Sequence, residues 1–471
     1  MLDADACYLA LRAHDARFDG VFFVGVTSTG IYCRPVCPAR AVRRENARFF
    51  SSAAAAERES FRPCLRCRPE LAPGNARVDS SVQLAARALQ HIDSGALNEK
   101  SVDELGLELG VTGRHLRRVV EAEFGVTPIE LAQTQRLLLA KQLLTDTALP
   151  MTEIAFASGF SSIRRFNALF RERYRLNPSR LRQTRVAKDA LYCELTYRPP
   201  FAWRSILDFL AVRSCPGVEA VVGDRYTRTV AIGKHSGWLA VSPSPRRHSL
   251  RVELSSSLAP VLLAVLTRVK RLFDLSAHPW RIEEHLGTCA RLAPLIAANS
   301  GLRVPGAFDG FEMTVRAILG QQVSVKAATT MAGRLASSFG QSIETPFPAL
   351  THISPTAACM AQLDVEDLMR LGIIGNRARS ILAVAGADLR LEPGADVEAT
   401  LAQLRKLPGI GEWTAQYIAM RALHWPDAFP HTDLGVYKAL DVRSPKEVLE
   451  ISRKWLPWRA YATMYLWKSL T

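Results

Sequence analysis

Four cysteines define the first reactive centre in this chain, Cys33-x3-Cys37 followed by Cys64-x2-Cys67. Thiolates at these spacings hold one zinc ion tetrahedrally, and a single Zn2+ is expected here. Disulfides could use the same residues. The chain has no signal-peptide pattern and no long apolar run, however, so a reducing, cytoplasmic setting without a membrane is expected. Arg34, Arg40, Arg43, Arg44 and Arg48 crowd the sequence after Cys33. Such cations favour the thiolate, which is the nucleophilic form, and attract phosphate. A purely structural knot has no need of them. Cys7, Cys193, Cys215, Cys289 and Cys359 lack ligand spacing and read as small buried hydrophobes.

A second centre lies near the C-terminus. Leu407-Pro408-Gly409-Ile410-Gly411 sits between two helical patterns and is followed by Trp413, Tyr417 and then Phe429-Pro430-His431-Thr432-Asp433. Gly409 and Gly411 allow a hairpin whose bare backbone N–H groups meet a DNA phosphate at the next helix's N-terminus. Asp433 comes within reach of that hairpin if the intervening helix turns back. A Pro-Gly-x-Gly turn alone is more often an ordinary helix cap, and a solvated helix N-cap is the alternative for Asp433.

The elements that carry these centres divide 471 residues into three or four domains. The net charge of +15 is spread as +3 over 1–74, +4 over 75–186 and +8 over the rest, which favours a nucleic-acid partner. Composition breaks at 72–75 and 185–189 mark linkers, and no short repeat suggests a solenoid. Between the breaks the period is helical, and one pattern occurs twice: a short helix, a glycine turn and a basic helix. The first copy runs from Ser101 to Thr112 and is followed by Arg114, Arg117 and Arg118. The second runs from Met151 to Phe160, with Ser161 as the expected N-cap of a helix bearing Arg164, Arg165, Asn167 and Arg171. Leu131 to Leu144 reads as a spacer holding two major-groove readers about one DNA turn apart. Residues 151–186 carry 8 basic against 2 acidic side chains, so the second reader should dominate phosphate attraction. A plain helical bundle with solvated arginines is the alternative. From Leu195 to Asp274, short β-like runs alternate with helical stretches, an α+β pattern whose chemistry cannot be read from its residues.

Residues 75–186 resemble the AraC/XylS helix-turn-helix domain, through Ile154-Ala155-x-x-x-Gly159-Phe160 and Phe166-x-x-x-Phe170-x-x-x-Tyr174-x-x-x-Pro178. The strings Thr29-Gly30-Ile31-Tyr32-Cys33-Arg34-Pro35-Val36-Cys37-Pro38-Ala39-Arg40 and Phe61-Arg62-Pro63-Cys64-Leu65-Arg66-Cys67 resemble the N-terminal domain of the Ada adaptive-response family. That resemblance implies that Cys33 accepts a methyl group from a DNA methylphosphotriester while Cys37, Cys64 and Cys67 complete the zinc site. Methylating one of four thiolates would take the cluster from −2 to −1 and weaken its repulsion from DNA. The Pro-Cys-His-Arg acceptor motif of the Ada family's C-terminal region is absent from this sequence, so O6-alkylguanine repair is not expected.

From about residue 190 onward the chain resembles the helix-hairpin-helix DNA glycosylases, and Ala317-Ile318-Leu319-Gly320-Gln321-Gln322-Val323-Ser324 points to the AlkA-type 3-methyladenine DNA glycosylase II. The resemblance implies that Asp433 is the catalytic carboxylate, that Trp413, Tyr417 and Trp467 line an aromatic pocket for an extruded base, and that Gln321 and Gln322 occupy the DNA wedge segment. An electron-rich pocket would attract a cationic purine, though core packing is the alternative for each ring. Bifunctional relatives place a Schiff-base lysine where this chain has Trp413, which implies hydrolysis without strand cleavage.

The expected fold is multidomain and mainly α with α+β parts: a zinc methyl-acceptor domain at 1–74, a double helix-turn-helix at 75–186, an α+β, TBP-like domain at 190–300 and an all-α glycosylase domain at 301–471. The expected function joins methyl acceptance, methylation-activated transcription control and excision of alkylated bases. The partners are alkylated DNA, promoter DNA and RNA polymerase, in the bacterial cytoplasm at the nucleoid. Two alternatives are a regulator whose C-terminal half only grips DNA, and a glycosylase with a vestigial zinc tether.

Overall fold

The computed structural model describes residues 3–39, 42–73, 83–98, 100–181 and 190–470. Arg40 and the breaks at 74–75 and 185–189 lie outside them. The chain forms two compact units. One comprises Met1–Pro199, Ser244–Thr267 and Leu275–Ala277, and the other Pro200–Pro243, Arg268–Asp274 and His278–Thr471.

The first unit begins with a four-stranded sheet of β1 (Phe23–Val26), β2 (Ile31–Cys33), β3 (Ala47–Phe50) and β4 (Arg62–Pro63), ordered β3-β1-β2-β4. β1 is antiparallel to β2 and β3, whereas β4 joins β2 in parallel, with Ile31 opposite Arg62 and Tyr32 opposite Pro63. That register puts the two cysteine pairs side by side, because Cys33 ends β2 and Cys64 follows β4. The Cys64 N–H donates to the Tyr32 carbonyl at 2.9 Å. Phe23, Tyr32, Ala53, Ala56 and Phe61 bury the sheet against the helix Ala53–Arg58.

Helices follow, as the sequence period requires. Val102–Glu108 and Gly113–Phe124 form the first helix-turn-helix, and Met151–Ala157 and Ile163–Tyr174 the second, with the spacer Pro128–Asp146 between them. Ser101 and Thr127 each close a capping box, fixing where two of these helices begin. The N-cap of the second basic helix is Ser162, not Ser161. The second turn is one residue longer than the first, and Ser162 Oγ, not Ser161, accepts from the Arg165 N–H at 3.2 Å. Phe166, Phe170 and Tyr174 recur about one turn apart, and with Phe160 from the preceding turn they pack edge-on or tilted in sequence, with centroids 5.2, 5.5 and 4.7 Å apart. This aromatic spine is the core of the second reader. The strands Ala190–Thr196 and Ser249–Ser255 pair antiparallel in the same unit.

The second unit opens with the helix Trp203–Ala211 and a meander of Glu219–Val222, Arg225–Ile232 and His235–Pro243. Helices make up most of the rest, so the architecture is mainly α with α+β parts. A buried charge network ties the meander to the helix Gly310–Leu319. Arg228 pairs with Glu219 and Glu312 at 3.2 and 2.7 Å, and Arg316 with Glu219 at 2.8 Å. Burial resists ionisation of Glu219, but Arg316 and Arg228 outweigh it and hold this carboxyl down at about 2. The helix that leads into Gln321 is therefore fixed at its base. No helix among the described residues is long and apolar enough to cross a membrane.

Candidate functional site

The four sulfurs of Cys33, Cys37, Cys64 and Cys67 converge within 4.8 Å of one another, and all four residues are buried. Four tetrahedral bonds of about 2.3 Å place sulfurs about 3.8 Å apart, so the set fits a zinc ion. None of the four is in a disulfide. Without a cation the crowded sulfurs cannot all ionise. Hydrogen bonds among them push the Cys33 and Cys67 thiols up and pull Cys37 and Cys64 down, a conflict that a dication removes.

Backbone geometry distinguishes the sulfurs. The Arg34 N–H donates to Cys67 Sγ at 3.4 Å and the Arg66 N–H to Cys64 Sγ at 3.3 Å. The Ala39 backbone engages Cys37 likewise, and among the described residues no backbone donor is aimed at Cys33 Sγ. Arg34 itself does not draw phosphate. It is buried, grips Asp19 through Nε at 2.7 Å and a second guanidinium bond, and donates to the Cys67 carbonyl at 3.1 Å. Arg44 pairs with Asp5 and Arg48 with Glu59. Exposed Arg43 pairs with Glu45 at 3.7 Å.

The cysteine cluster is joined to the spacer helix by buried ions. Lys141 pairs with Glu70 at 2.6 Å and donates to the Cys64 carbonyl at 3.2 Å, while Arg68 bridges Glu70 and Asp146. Both partners of the Lys141–Glu70 pair are almost wholly enclosed, so losing either one would cost several kcal/mol. Arg114, Arg117 and Arg118 are exposed on the first basic helix, with Arg117 paired to Asp103 at 3.3 Å. Arg164 and Arg165 are exposed and Asn167 half-buried on the second.

In the second unit, Asp433 N-caps the helix Leu434–Leu440, accepting from the Val436 N–H at 3.0 Å. The bland reading of this residue thus holds alongside a sharper arrangement. Trp413 Nε1 donates to Asp433 Oδ2 at 2.7 Å and Trp467 Nε1 to Oδ1 at 2.9 Å. Two neutral indoles hold the carboxylate, with no cation paired to it among the described residues. Trp413 and Tyr417 are one helical turn apart and stack at 5.2 Å and 8°, while Tyr417 and Trp467 are 6.2 Å apart at 49°. The structure therefore brings Asp433, Trp413, Tyr417 and Trp467 together.

The hairpin between the helices Val397–Leu404 and Glu412–Arg421 turns at Gly409, whose φ is +74°; a Cβ there would stand 2.1 Å from Ser380 Oγ. No side chain caps the helix that starts after Gly411, so its first N–H groups stay open. The two glutamines separate. Gln321 turns onto the hairpin, donating to the Gly409 carbonyl at 2.8 Å and to Thr414 Oγ1 at 2.9 Å, and its own carbonyl accepts from Arg377. Gln322 is exposed, with φ +53°.

Three neighbours of this pocket have no motif. Phe209 lies parallel to Trp467, with centroids 6.5 Å apart at 14°, and the Arg213 guanidinium sits 3.9 Å from the Phe209 centroid. Arg421 donates to Tyr417 Oη at 2.8 Å and lies 4.9 Å from the same phenylalanine. Arg421 follows Trp413 and Tyr417 at helical spacing, a signal that sequence could have offered. Phe209 and Arg213 carry none.

Four family models match the chain. They are the metal binding domain of Ada over 6–70, a helix-turn-helix domain over 105–184, the AlkA N-terminal domain over 192–309 and the HhH-GPD superfamily base excision DNA repair protein over 315–453. The chain is 39% identical to the "Probable bifunctional transcriptional activator/DNA repair enzyme AlkA" of Mycobacterium tuberculosis, covering 99% of this chain and 97% of that one. It is 36% identical to DNA-3-methyladenine glycosylase 2 of Escherichia coli, over 58% of this chain and 95% of that one. A 3-methyladenine DNA glycosylase structure from Archaeoglobus fulgidus shares the fold with a TM-score of 0.53 and 21% identity, over 58% of this chain and 97% of that one. With four converging thiols and the matching metal-binding model, one zinc ion is the cofactor of the first unit.

Proposed function

The chain belongs to the family of bifunctional transcriptional activator/DNA repair enzymes of the AlkA type, and from that premise we propose how its residues divide the work. The protein accepts a methyl group from DNA methylphosphotriesters, regulates transcription through its helix-turn-helix readers, and hydrolyses the N-glycosidic bond of alkylated bases such as 3-methyladenine. We assign these tasks to residues 1–74, 75–186 and 301–471, with 190–300 as the α+β domain that accompanies the last.

The observation that carries the glycosylase reading is the Asp433 carboxylate, held at both oxygens by indole N–H groups beside an aromatic wall. With no cation to neutralise it, the carboxylate keeps a full negative charge for the oxocarbenium-like sugar that forms as the base departs. Water then adds to the anomeric carbon and an abasic site remains. Trp413 stands where a Schiff-base lysine would be needed, so the reaction stops at hydrolysis. Open N–H groups at the hairpin, with Gly409 and Gly411, take a phosphate of the bound strand, while exposed Gln322 enters the gap left by the extruded nucleotide and Gln321 braces the hairpin.

Bound zinc keeps the cluster's sulfurs ionised at neutral pH. Cys33 Sγ attacks the methyl carbon; the S–C bond forms as the C–O bond breaks, and the phosphate leaves as a diester anion. Among the described residues no backbone donor engages Cys33 Sγ, whereas Cys37, Cys64 and Cys67 each have one, which supports Cys33 as the acceptor. Arg114, Arg117, Arg118, Arg164, Arg165 and Asn167 face the promoter DNA, and RNA polymerase is the partner of the activated form, in the cytoplasm at the nucleoid.

The test is one reaction tube holding full-length protein and methylated duplex. Intact-mass spectrometry should show one added methyl on Cys33, and the supernatant should contain free 3-methyladenine without strand scission. Absence of both would remove the reading, and a borohydride-trapped adduct would remove its hydrolysis-only part.

A further inference from the structure

Asp433 places one negative charge at one end of the aromatic group, and two guanidiniums stand at the other: Arg213, and buried Arg421, whose donors go to Tyr417 Oη and to the Pro305 and Gly306 carbonyls. Arg213 and Arg421 approach the Phe209 ring at 3.9 and 4.9 Å. Neither makes an ion pair among the described residues, whereas neighbouring Arg316 is paired with Glu219 and Glu312. The positive field registers in Tyr417. Burial alone would push its phenol up, but Arg421, Arg213 and Arg316 pull it below its ordinary value. Phe209 and Trp467 lie nearly parallel, 14° apart, with centroids separated by 6.5 Å.

We propose that Arg213, backed by Arg421, is a specificity-determining residue that favours excision of uncharged lesion bases over cationic ones. This rests on the glycosylase reading above. Heterolysis of the N-glycosidic bond sends the bonding pair to the base nitrogen and leaves the positive charge on the sugar. An uncharged base therefore departs as an anion, until it takes a proton from water, while a cationic base departs neutral. Starting from free protein and DNA, the two guanidiniums stabilise the first transition state and oppose the second, in which the base still carries positive charge. Asp433 serves the sugar equally in both and cannot discriminate. The aromatic faces alone would favour a cation, but the Phe209 face is already taken by Arg213.

Arg213 suits the test because its side chain is half-buried and, among the described residues, donates to the Phe209 carbonyl at 3.3 Å and to no side chain. Full-length protein would be assayed on duplexes carrying one hypoxanthine, which is neutral, or one 7-methylguanine, which is cationic, and the second-order excision constants compared. Arg213→Met should lower the first and raise the second, changing their ratio by at least about tenfold, and Arg213→Lys should restore most of that ratio. A fall in both constants by one factor, or failure of lysine to restore the ratio, would overturn the inference while leaving the glycosylase reading intact. Release of neither base by the unmodified protein would overturn both. A thermal melt of each variant against the parent separates lost charge from lost fold.

Discussion

In the proposed function the cysteine cluster and the Asp433 site keep an anion reactive by opposite means. Around the cysteine cluster the buried cations are structural: Arg34 is held by Asp19, and Lys141 and Arg68 by Glu70 and Asp146. The sulfurs therefore depend on a metal for their ionisation. Around Asp433 the partners are neutral indoles, and the nearby guanidiniums of Arg213 and Arg421 approach the Phe209 ring with no ion pair among the described residues. A centre that reacts once can rely on a bound dication. A centre that turns over keeps its carboxylate free of any cation, because a paired carboxylate would stabilise an oxocarbenium less.

Inactivating the two centres one at a time has the largest expected effect. Asp433→Asn keeps the N-cap, since asparagine caps as well as aspartate, but removes the charge. Release of 3-methyladenine should fall by about a thousandfold or more, with methyl uptake on Cys33 and duplex affinity unchanged. Cys33→Ala should do the reverse, abolishing methyl uptake by intact mass while purine release persists. If either change disabled both activities, the centres would not be independent.

The pH dependence of the first unit sharpens the contrast in how each centre treats buried charge. Glu57 is enclosed between the Tyr32 hydroxyl at 2.9 Å and Thr134 Oγ1 at 2.7 Å, with Tyr174 and Arg173 also facing it. Burial pushes its carboxyl up to about 7. A folded value above the unfolded one, near 4.5, means that the stabilisation is complete below about pH 4.5 and lost as pH rises through about 7. The difference amounts to a few kcal/mol. Exchange protection of the helix Ala53–Arg58, followed by mass spectrometry, should weaken across this window in the parent and change less in Glu57→Gln. Parallel profiles would rule out Glu57 as the titrating group.

Legibility follows the distance over which each signal acts. Two cysteine pairs at ligand spacing, the glycine at φ +74° and the Phe166–Phe170–Tyr174 spacing are all local, and the sequence periods and motifs expose them. Ser162 escaped by one residue because the second turn is longer than the first. The burial of Arg34 is not local, because its partner Asp19 precedes the first strand and lies 15 residues away in sequence. The bond from Lys141 to the Cys64 carbonyl and the facing of Phe209 with Trp467 are products of tertiary packing. No period in the chain encodes them.

Methylation of Cys33 supplies a smaller test of the electrostatic argument. Lowering the zinc–thiolate charge from −2 to −1 should tighten promoter binding by about tenfold at low salt, and less as salt screens the phosphates. Titrating the promoter duplex with protein before and after exposure to methylated DNA measures this directly. Unchanged affinity with confirmed Cys33 methylation would leave the two functions of the first unit uncoupled.

The smallest effect is expected at Gln322, which differs from Gln321 by facing outward from a left-handed backbone instead of bracing the hairpin. An amide fills the gap of a flipped nucleotide with less apolar surface than an aliphatic chain of similar length. Gln322→Leu should therefore raise the excision constant for a paired lesion by a few-fold, with little effect on a mismatched lesion whose base is already easy to extrude. Gln321→Leu should instead lower both, because it loses the bonds to Gly409 and Thr414 that hold the hairpin. Equal responses to the two substitutions would show that the outward and inward glutamines do the same job, and the distinction between wedge and brace would fall.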